Sequence, residues 1–169
     1  PGAVQLDYIK GENIENIYFA DNLTKLHFLE DKWWHYKAQL PKMNGGKTYL
    51  CCNGIDYCYK VRIDDTVIYE YEGLYKPFRL DITEYSEKTL FIPKIEGAEG
   101  RSQAAACCKP PVSYGWDWHP RLIPVGIWEE IWLENTEHGY IDDLSVNYTL
   151  SENRKSAEIT TYLSLSENE

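Results

Sequence analysis

Residues 57–73 read "YCYKVRIDDTVIYEYEG". Apolar side chains at Tyr59, Val61 and Ile63 alternate with charged ones, which is the period-2 pattern of a strand with one buried face. The two aspartates that follow predict a turn, and the next residues are rich in β-branched and aromatic side chains. The stretch therefore predicts two consecutive β-strands.

Strand signals recur on both sides of this stretch, with turn signals about every ten residues. Further strands are predicted within residues 75–83, 89–95 and 127–135, where Ile127, Ile131 and Leu133 would share one face. One helical turn is predicted at "DNLTKLHFLE" (21–30), with Asp21 or Asn22 as its cap and Leu23, Leu26 and Leu29 on one side. Many short strands separated by turns indicate an all-β sandwich.

The pattern changes near residues 135–140, "NTEHGY". Two cleanly alternating strands follow, over residues 144–150 and 157–165, separated by the polar turn "SENRKS". Two strands alone are marginal in water. The expected organisation is therefore one domain over residues 1–136 and the start of a second, truncated β domain over residues 137–169.

Composition limits the classes of partner. The chain has 27 acidic against 17 basic residues among 169, a net charge of −10, which disfavours a nucleic-acid partner. No apolar run approaches the roughly 20 residues that a membrane span needs. The chain opens without methionine, so the expectation is that something was removed before it. Five cysteines, two pairs of them adjacent, make a poor disulfide framework and favour reduced thiols. A cytoplasmic location is expected, with a periplasmic or secreted one as the alternative.

The sequence predicts no catalytic apparatus, metal site or cofactor. The serines lie in no elbow motif, and the four histidines form no pattern with them. No CxxC or HExxH spacing occurs, and adjacent cysteines on a strand point to opposite faces, so the cysteines are interpreted as small buried hydrophobes. Neighbouring carboxylates on a strand also point apart, so none forms an acid–base pair.

The densest aromatic cluster lies in residues 113–128, "SYGWDWHPRLIPVGIW". An indole face can stack on the C–H face of a sugar ring, while a carboxylate accepts hydrogen bonds from two hydroxyls. Trp116, Asp117 and Trp118 suit that task. Equally, the two tryptophans could be core aromatics, with Asp117 capping a turn. The residues alone leave both interpretations open.

Residues 113–134, "SYGWDWHPRLIPVGIWEEIWLE", resemble the end of the amino-terminal sugar-binding domain of glycoside hydrolase family 2, in its β-mannosidase-like branch. The resemblance extends upstream through the opening Pro1-Gly2 and the strand at Trp34 and Tyr36. It also includes Gly54, Ile55, Asp56, Gly73, Phe78, Asp81 and Thr83. It covers about residues 1–136, and residues 139–146 resemble the start of an immunoglobulin-like second domain.

The resemblance implies a galactose-binding-domain-like jelly roll, followed by the first strands of an immunoglobulin-like sandwich. The parent would be a retaining exo-β-glycosidase whose catalytic glutamates lie on a TIM barrel, a fold of about 250 residues that partners this domain. No catalytic residue is assigned to this chain, which by itself is expected to lack glycosidase activity. Two alternatives remain: a free-standing carbohydrate-binding module, or a purely structural domain of the parent.

Four residues are predicted to bind a terminal sugar. Trp116 would form part of a pocket wall and Asp117 would accept hydrogen bonds from sugar hydroxyls. His119 and Arg121 would either line the pocket rim or pair with surface acids. Trp118 is interpreted as a packing residue, and Trp33, Trp34, Trp128 and Trp132 as core or interdomain contacts. Three features depart from the family: His119 replaces glycine, Cys108 replaces an arginine near the active site, and the segment 88–107 looks short.

Overall fold

The chain folds mainly into β-strands in the computed structural model, which describes residues 4–14, 16–95 and 107–166. Pro1-Gly2 and most of the segment 88–107 fall outside these residues. The strands are β1 (Trp34–Gln39), β2 (Lys47–Cys52), β3 (Ile55–Asp56), β4 (Cys58–Ile63), β5 (Thr66–Glu72), β6 (Phe78–Asp81), β7 (Thr89–Ile95), β8 (Gly126–Ile127), β9 (Ile131–Thr136), β10 (Tyr140–Leu150) and β11 (Ala157–Ser166).

The predicted helical turn at residues 21–30 is a 3-10 helix, Asn22–Asp31. Leu26 and Leu29 are buried on its inner side, as the spacing predicts. Neither predicted cap is used through its side chain, because the Thr24 N–H bonds instead to the Asp21 carbonyl at 2.9 Å. Two shorter 3-10 helices span Thr83–Tyr85 and Pro111–Tyr114.

The α-helix α1 (Val4–Gly11) was not predicted from the sequence. Asp7 in its first turn and Lys10 in its last favour a helix, because an acid near the amino end and a base near the carboxyl end interact favourably with the helix dipole. The segment is short for a stable isolated helix. It is held by tertiary contacts, since the Val4 N–H bonds to the Val125 carbonyl at 2.9 Å.

Two antiparallel sheets form the predicted all-β jelly-roll sandwich. One sheet has the order β1-β7-β4-β5 and the other the order β6-β2-β9, with β3 paired to β8 beside them. Side chains from both sheets meet in one core, and burial of such apolar surface is the main driving force for folding. The core residues are Leu40, Leu50, Cys52, Ile55, Tyr59, Val61, Ile63, Phe78, Ile82, Leu90, Ile92, Val125 and Ile127.

The alternation in β4 is confirmed: Tyr59, Val61 and Ile63 are each at most 2% exposed. The continuous strand predicted at residues 127–135 is wrong. Strand β8 ends at Ile127 and β9 begins at Ile131, because the chain changes pairing partner between them. In that gap the Asn53 N–H bonds to the Glu130 carbonyl at 3.0 Å. The single apolar face is lost too, since Leu133 is 39% exposed.

The four tryptophans outside residues 113–118 are placed differently from one another. Trp34 packs against the sandwich core, and Trp128 donates from Nε1 to the Leu74 carbonyl at 3.2 Å. Trp33 and Trp132 are 56% and 40% exposed, so these two are not core residues, and an interdomain contact for them stays a prediction.

Strands β10 and β11 form the predicted antiparallel pair, with Leu144 opposite Leu163 and Tyr148 opposite Ile159. Their shared apolar face is uncovered, because each of these four side chains is at least half exposed. The division between domains at residue 136, and the immunoglobulin-like character of the second, stay predictions.

Arg79 connects the sandwich to the β10–β11 hairpin. Its guanidinium carbon lies 3.3 Å from the ring centroid of Tyr49 on β2 and 3.6 Å from that of Tyr140 on β10. Its Nη2 also donates to Glu134 on β9 at 3.0 Å. The arrangement combines cation–π contacts to two rings, whose planes meet at 66°, with an ion pair to Glu134, and this combination suits arginine better than lysine.

We expect Arg79→Lys to lower the free energy of unfolding by about 1–2 kcal/mol, because an ammonium group neither lies flat against an aromatic ring nor donates to a carboxylate as a planar fork. Urea unfolding measures the change. Lys60→Gln is the control, since it breaks only the exposed Lys60–Glu70 ion pair and is expected to cost under about 1 kcal/mol. Equal losses of stability in Arg79→Lys and Lys60→Gln would contradict the role given to the two aromatic contacts of Arg79.

Candidate functional site

Residues 116–119 form a tight turn at the tip of a surface loop. The Trp116 N–H bonds to the His119 carbonyl at 2.8 Å, and the His119 N–H bonds back to the Trp116 carbonyl at 3.3 Å. Further down, the Leu122 N–H bonds to the Ser113 carbonyl at 2.9 Å. Asp117 and Trp118 are thereby the two residues at the tip of a short, backbone-paired arm.

The two indoles of the turn touch each other. Their ring centroids are 5.9 Å apart and the planes meet at 65°. Trp116 is 57% exposed and Trp118 is 78% exposed. The interpretation of Trp118 as a packing residue is therefore wrong. It assumed an extended loop, whereas the tight turn brings both rings to one place in solvent.

Asp117 is exposed at the tip, and no described residue donates a hydrogen bond to its carboxylate. It therefore does not cap the turn, which is closed by the backbone of Trp116 and His119. A carboxylate with its acceptor sites open can receive hydrogen bonds from two hydroxyls of a ligand.

His119 is oriented by its neighbour. Its Nδ1 lies 2.7 Å from the Pro120 carbonyl. A carbonyl only accepts, so Nδ1 carries the proton in this contact. With the proton of a neutral imidazole on Nδ1, Nε2 is the nitrogen that can accept.

Arg121 takes the ion-pairing alternative, though with a buried acid rather than a surface one. Its Nε and Nη2 both donate to Oε2 of Glu30, at 3.0 and 2.6 Å. The Glu30 side chain is 5% exposed and that of Arg121 is 25% exposed. Glu30 lies in the 3-10 helix Asn22–Asp31, 91 residues earlier in the chain.

A second buried ion pair lies at the base of the same loop. Lys109 Nζ is 2.6 Å from Oδ1 of Asp56 on β3, and both side chains are at most 1% exposed. The same Nζ donates to the Pro124 carbonyl at 2.9 Å. Lys109 therefore ties the two ends of the loop together. Burial raises the pKa of Asp56 to about 6, and the charge of Lys109 opposes that rise.

The five cysteines differ in burial. Cys51 and Cys52 are buried, as predicted, while Cys58 and Cys107 are half-buried and Cys108 is exposed. Burial, with the Cys51–Glu134 hydrogen bond, raises the pKa of Cys51 to about 11, so it stays a thiol at neutral pH. The described residues contain no group of three or more histidine, cysteine or acidic side chains that could hold a metal ion.

Two clefts lie elsewhere, along the open side of the sandwich. The first, of about 310 Å³, is lined mainly by side chains of β1, β7 and β9, including Ile92 and Leu133, and by Leu40. The second, of about 620 Å³, continues it toward α1 past Tyr36 and Trp132. Neither of these two clefts includes a residue of the 116–119 turn.

The structure thus brings together three of the four predicted sugar-binding residues, Trp116, Asp117 and His119, and directs Arg121 to Glu30. Neither buried ion pair was predicted from the sequence, which indicated no role for Glu30, Asp56 or Lys109. A usable signal existed for Asp56, because it is an acid among the apolar residues of "GIDYCY". Glu30 has no comparable signal, since acids at helix ends are common on surfaces.

Residues 1–129 match the family model described as "Glycosyl hydrolase 2 galactose-binding domain-like". This match covers most of the chain. The chain belongs to that family, as the resemblance predicted.

Curated relatives agree with this assignment. β-Mannosidase B of Emericella nidulans is 27% identical over 185 residues, and that of Aspergillus clavatus is 26% identical over 187. These matches cover 95% and 96% of this chain but 22% of each relative. The chain therefore spans about a fifth of the length of these relatives, which are much longer proteins.

Solved structures share the fold. A β-D-mannosidase from Dictyoglomus thermophilum superposes with a TM-score of 0.79 at 21% identity, covering 99% of this chain and 23% of that one. The exo-chitosanase CsxA of Amycolatopsis orientalis gives 0.69 at 11% identity, covering 100% and 20%. Among the described residues of this chain, no helix is long and apolar enough to cross a membrane.

Proposed function

We propose that this domain contributes one wall of the active-site pocket of a retaining exo-β-glycosidase, with the remaining walls and both catalytic carboxylates supplied by other parts of the same polypeptide. The observation that supports this most is the 116–119 turn. It carries an open carboxylate between two exposed, touching indoles, and none of its residues lines either of the two clefts described above. One wall of a shared pocket would have this form.

In the proposed role, Asp117 accepts hydrogen bonds from hydroxyls of the non-reducing sugar, and Trp116 packs against the ring. His119 Nε2 accepts from a further hydroxyl. Such contacts hold the glycosidic carbon in line with a nucleophile on the other wall, and positioning of this kind supplies a large share of catalysis. Chemistry itself follows the two-carboxylate route of retaining enzymes, with neither carboxylate in this chain.

The substrate class is a terminal β-linked sugar. The names of the relatives favour a β-mannoside first. Cys108 stands where the β-mannosidase pattern has arginine, so a galactoside, glucuronide or glucosaminide is the alternative. A cytoplasmic location is proposed on the five unbridged thiols alone.

The test of the shared-pocket proposal is a titration of this chain with mannose, galactose, glucose and glucosamine, followed by tryptophan fluorescence. We expect no saturable change at millimolar sugar, because one wall buries too little of a ligand that pockets normally enclose by more than about 70%. The same titration of a chain extended through the expected barrel should saturate with one of the four sugars. Saturation by the shorter chain, abolished in Asp117→Ala, would instead establish a free-standing carbohydrate-binding module.

A further inference from the structure

Arg121 holds together the two arms of the loop that carries the turn. On the incoming arm, its guanidinium carbon lies 5.6 Å from the ring centroid of Tyr114, a side chain only 3% exposed. A Cβ added to Gly115 would lie 3.5 Å from the Arg121 Cβ, so the two arms are separated there by little more than the space of one methyl group. Arg121 itself belongs to the outgoing arm, two residues after the turn.

Glu30 fixes Arg121 to a rigid part of the sandwich. The 3-10 helix that carries Glu30 is anchored by Leu26 and Leu29, which are 1% and 0% exposed. The Leu29 carbonyl also accepts a hydrogen bond from Nε1 of Trp34 on β1 at 3.1 Å. The carboxylate therefore has little freedom to follow a displaced loop.

Arg121 is the only described residue that donates to the Glu30 carboxylate. Both donated hydrogen bonds reach Oε2, and the buried Oε1 has no donor among the described residues. A buried carboxylate is costly unless it is paired, so the fold strongly favours the one loop geometry that keeps Arg121 in reach.

We propose that Glu30, acting through Arg121, is a positioning residue that sets the orientation of the Trp116–His119 turn toward the sugar. This inference rests on the proposed function of that turn. A contact that must meet a second wall tolerates little error, and a misplacement of about 1 Å can lower a rate by about 100-fold. Glu30 touches no substrate and takes no part in the chemistry.

The first experiment uses this chain and needs no substrate. The touching indoles of Trp116 and Trp118 are expected to produce an exciton couplet in the far-ultraviolet circular dichroism spectrum, and Trp118→Phe should identify it by removing it. Glu30→Ala releases Arg121, which then no longer holds together the two arms that end in the turn, so we expect the turn to loosen and the couplet to weaken strongly. Glu30→Gln should weaken it less, because the amide oxygen still accepts from the guanidinium. Glu70→Gln, which breaks an exposed ion pair with Lys60, should leave it unchanged.

Urea unfolding separates displacement of the turn from loss of the fold. Glu30→Gln retains an acceptor and is expected to fold even if Glu30→Ala does not. A couplet of wild-type strength in folded Glu30→Gln and Glu30→Ala would overturn the inference. A couplet that is weaker in Glu30→Gln and weakest in Glu30→Ala, but unchanged in Glu70→Gln, would support the inference.

The second experiment uses the longer polypeptide and an aryl β-glycoside that it hydrolyses. We expect Glu30→Ala to lower kcat/KM by about 10-fold to 100-fold. Asp117→Asn should then cost less in the Glu30→Ala background than in the wild type, because a displaced turn no longer presents that carboxylate correctly. If the two substitutions lower kcat/KM independently, so that the double variant shows the product of the single losses, the positioning role is wrong.

The two proposals fail separately. If Asp117→Asn leaves turnover unchanged, the pocket role of the turn is wrong, whatever the couplet shows. If Asp117→Asn lowers turnover while the Glu30 variants leave the couplet and kcat/KM unchanged, the turn contacts sugar and Glu30 does not position it.

Discussion

Replacing Asp117 with alanine in the longer polypeptide should lower kcat/KM on its best aryl β-glycoside by about 100-fold or more, and Asp117→Asn by less. A hydrogen bond to a charged group contributes about 1.5–3 kcal/mol, and two such bonds to sugar hydroxyls would be lost. Every 1.4 kcal/mol corresponds to a factor of ten in rate. Asparagine keeps one oxygen acceptor but no charge, so it should retain part of the activity.

Stability should barely change in either variant. Asp117 is exposed, accepts no hydrogen bond from a described residue, and contacts no charged partner there. Exposed positions of this kind usually alter the free energy of unfolding by less than about 0.5 kcal/mol. The Asp117 variants therefore separate catalysis from folding.

Asp142→Asn is the matched control, because it removes the same charge from an exposed aspartate on the β10–β11 hairpin. It should leave kcat/KM unchanged. If Asp117→Ala keeps full activity with the best substrate, the domain is structural and the sugar is held entirely by other parts of the protein.

Lys109→Met is expected to lower the free energy of unfolding by about 3–5 kcal/mol, because it leaves Asp56 buried without its counter-charge. It also removes the hydrogen bond that joins Lys109 to the Pro124 carbonyl. For a chain of this size, each kcal/mol shifts Tm by about 2–4 °C. Thermal unfolding followed by circular dichroism would report a Tm lowered by about 10 °C.

The double variant Asp56→Leu/Lys109→Met should recover part of that loss. With both charges gone, no buried ion remains unpaired, and replacing a buried pair with apolar side chains is often neutral. The non-additivity measured by the cycle is the sign of direct coupling. If the losses in the free energy of unfolding are additive, Lys109 contributes through its hydrogen bond to the Pro124 carbonyl and not through its charge beside Asp56.

The same pair predicts a pH dependence whose sign follows from Asp56. Burial raises the pKa of Asp56 from 3.8 to about 6, so between these values the folded chain binds more protons than the unfolded one. Stability contributed by Asp56 is therefore present near pH 4 and is lost as pH rises through 6.

The comparison of wild type with Asp56→Asn isolates this effect. Asp64, Asp81 and Glu134 have lowered pKa values and act in the opposite direction, but they are common to both proteins and cancel. The stability of the wild type relative to Asp56→Asn should fall from pH 4 to pH 7, as measured by urea unfolding at each pH. A difference that stays constant with pH would contradict the raised pKa.

The sequence by itself determined the class of fold and the place of the candidate site. Period-2 alternation is a local property, so Tyr59, Val61 and Ile63 identify a buried strand face without knowledge of its partner. The hairpin of β10 and β11 was predictable for the same reason. The cluster of Trp116, Asp117 and Trp118 was visible because indole and carboxylate together suit a sugar, whatever surrounds them.

Only the tertiary structure decided how that cluster is presented and supported. The backbone pairing of Trp116 with His119 makes the segment a tight turn, so Trp118 lies in solvent rather than in the core. Arg121 could reach a sugar or an acid, and the partner that meets it, Glu30, lies 91 residues away. Such partners are set by how sheets and helices pack, and no local pattern records which distant side chain will be buried beside a given charge.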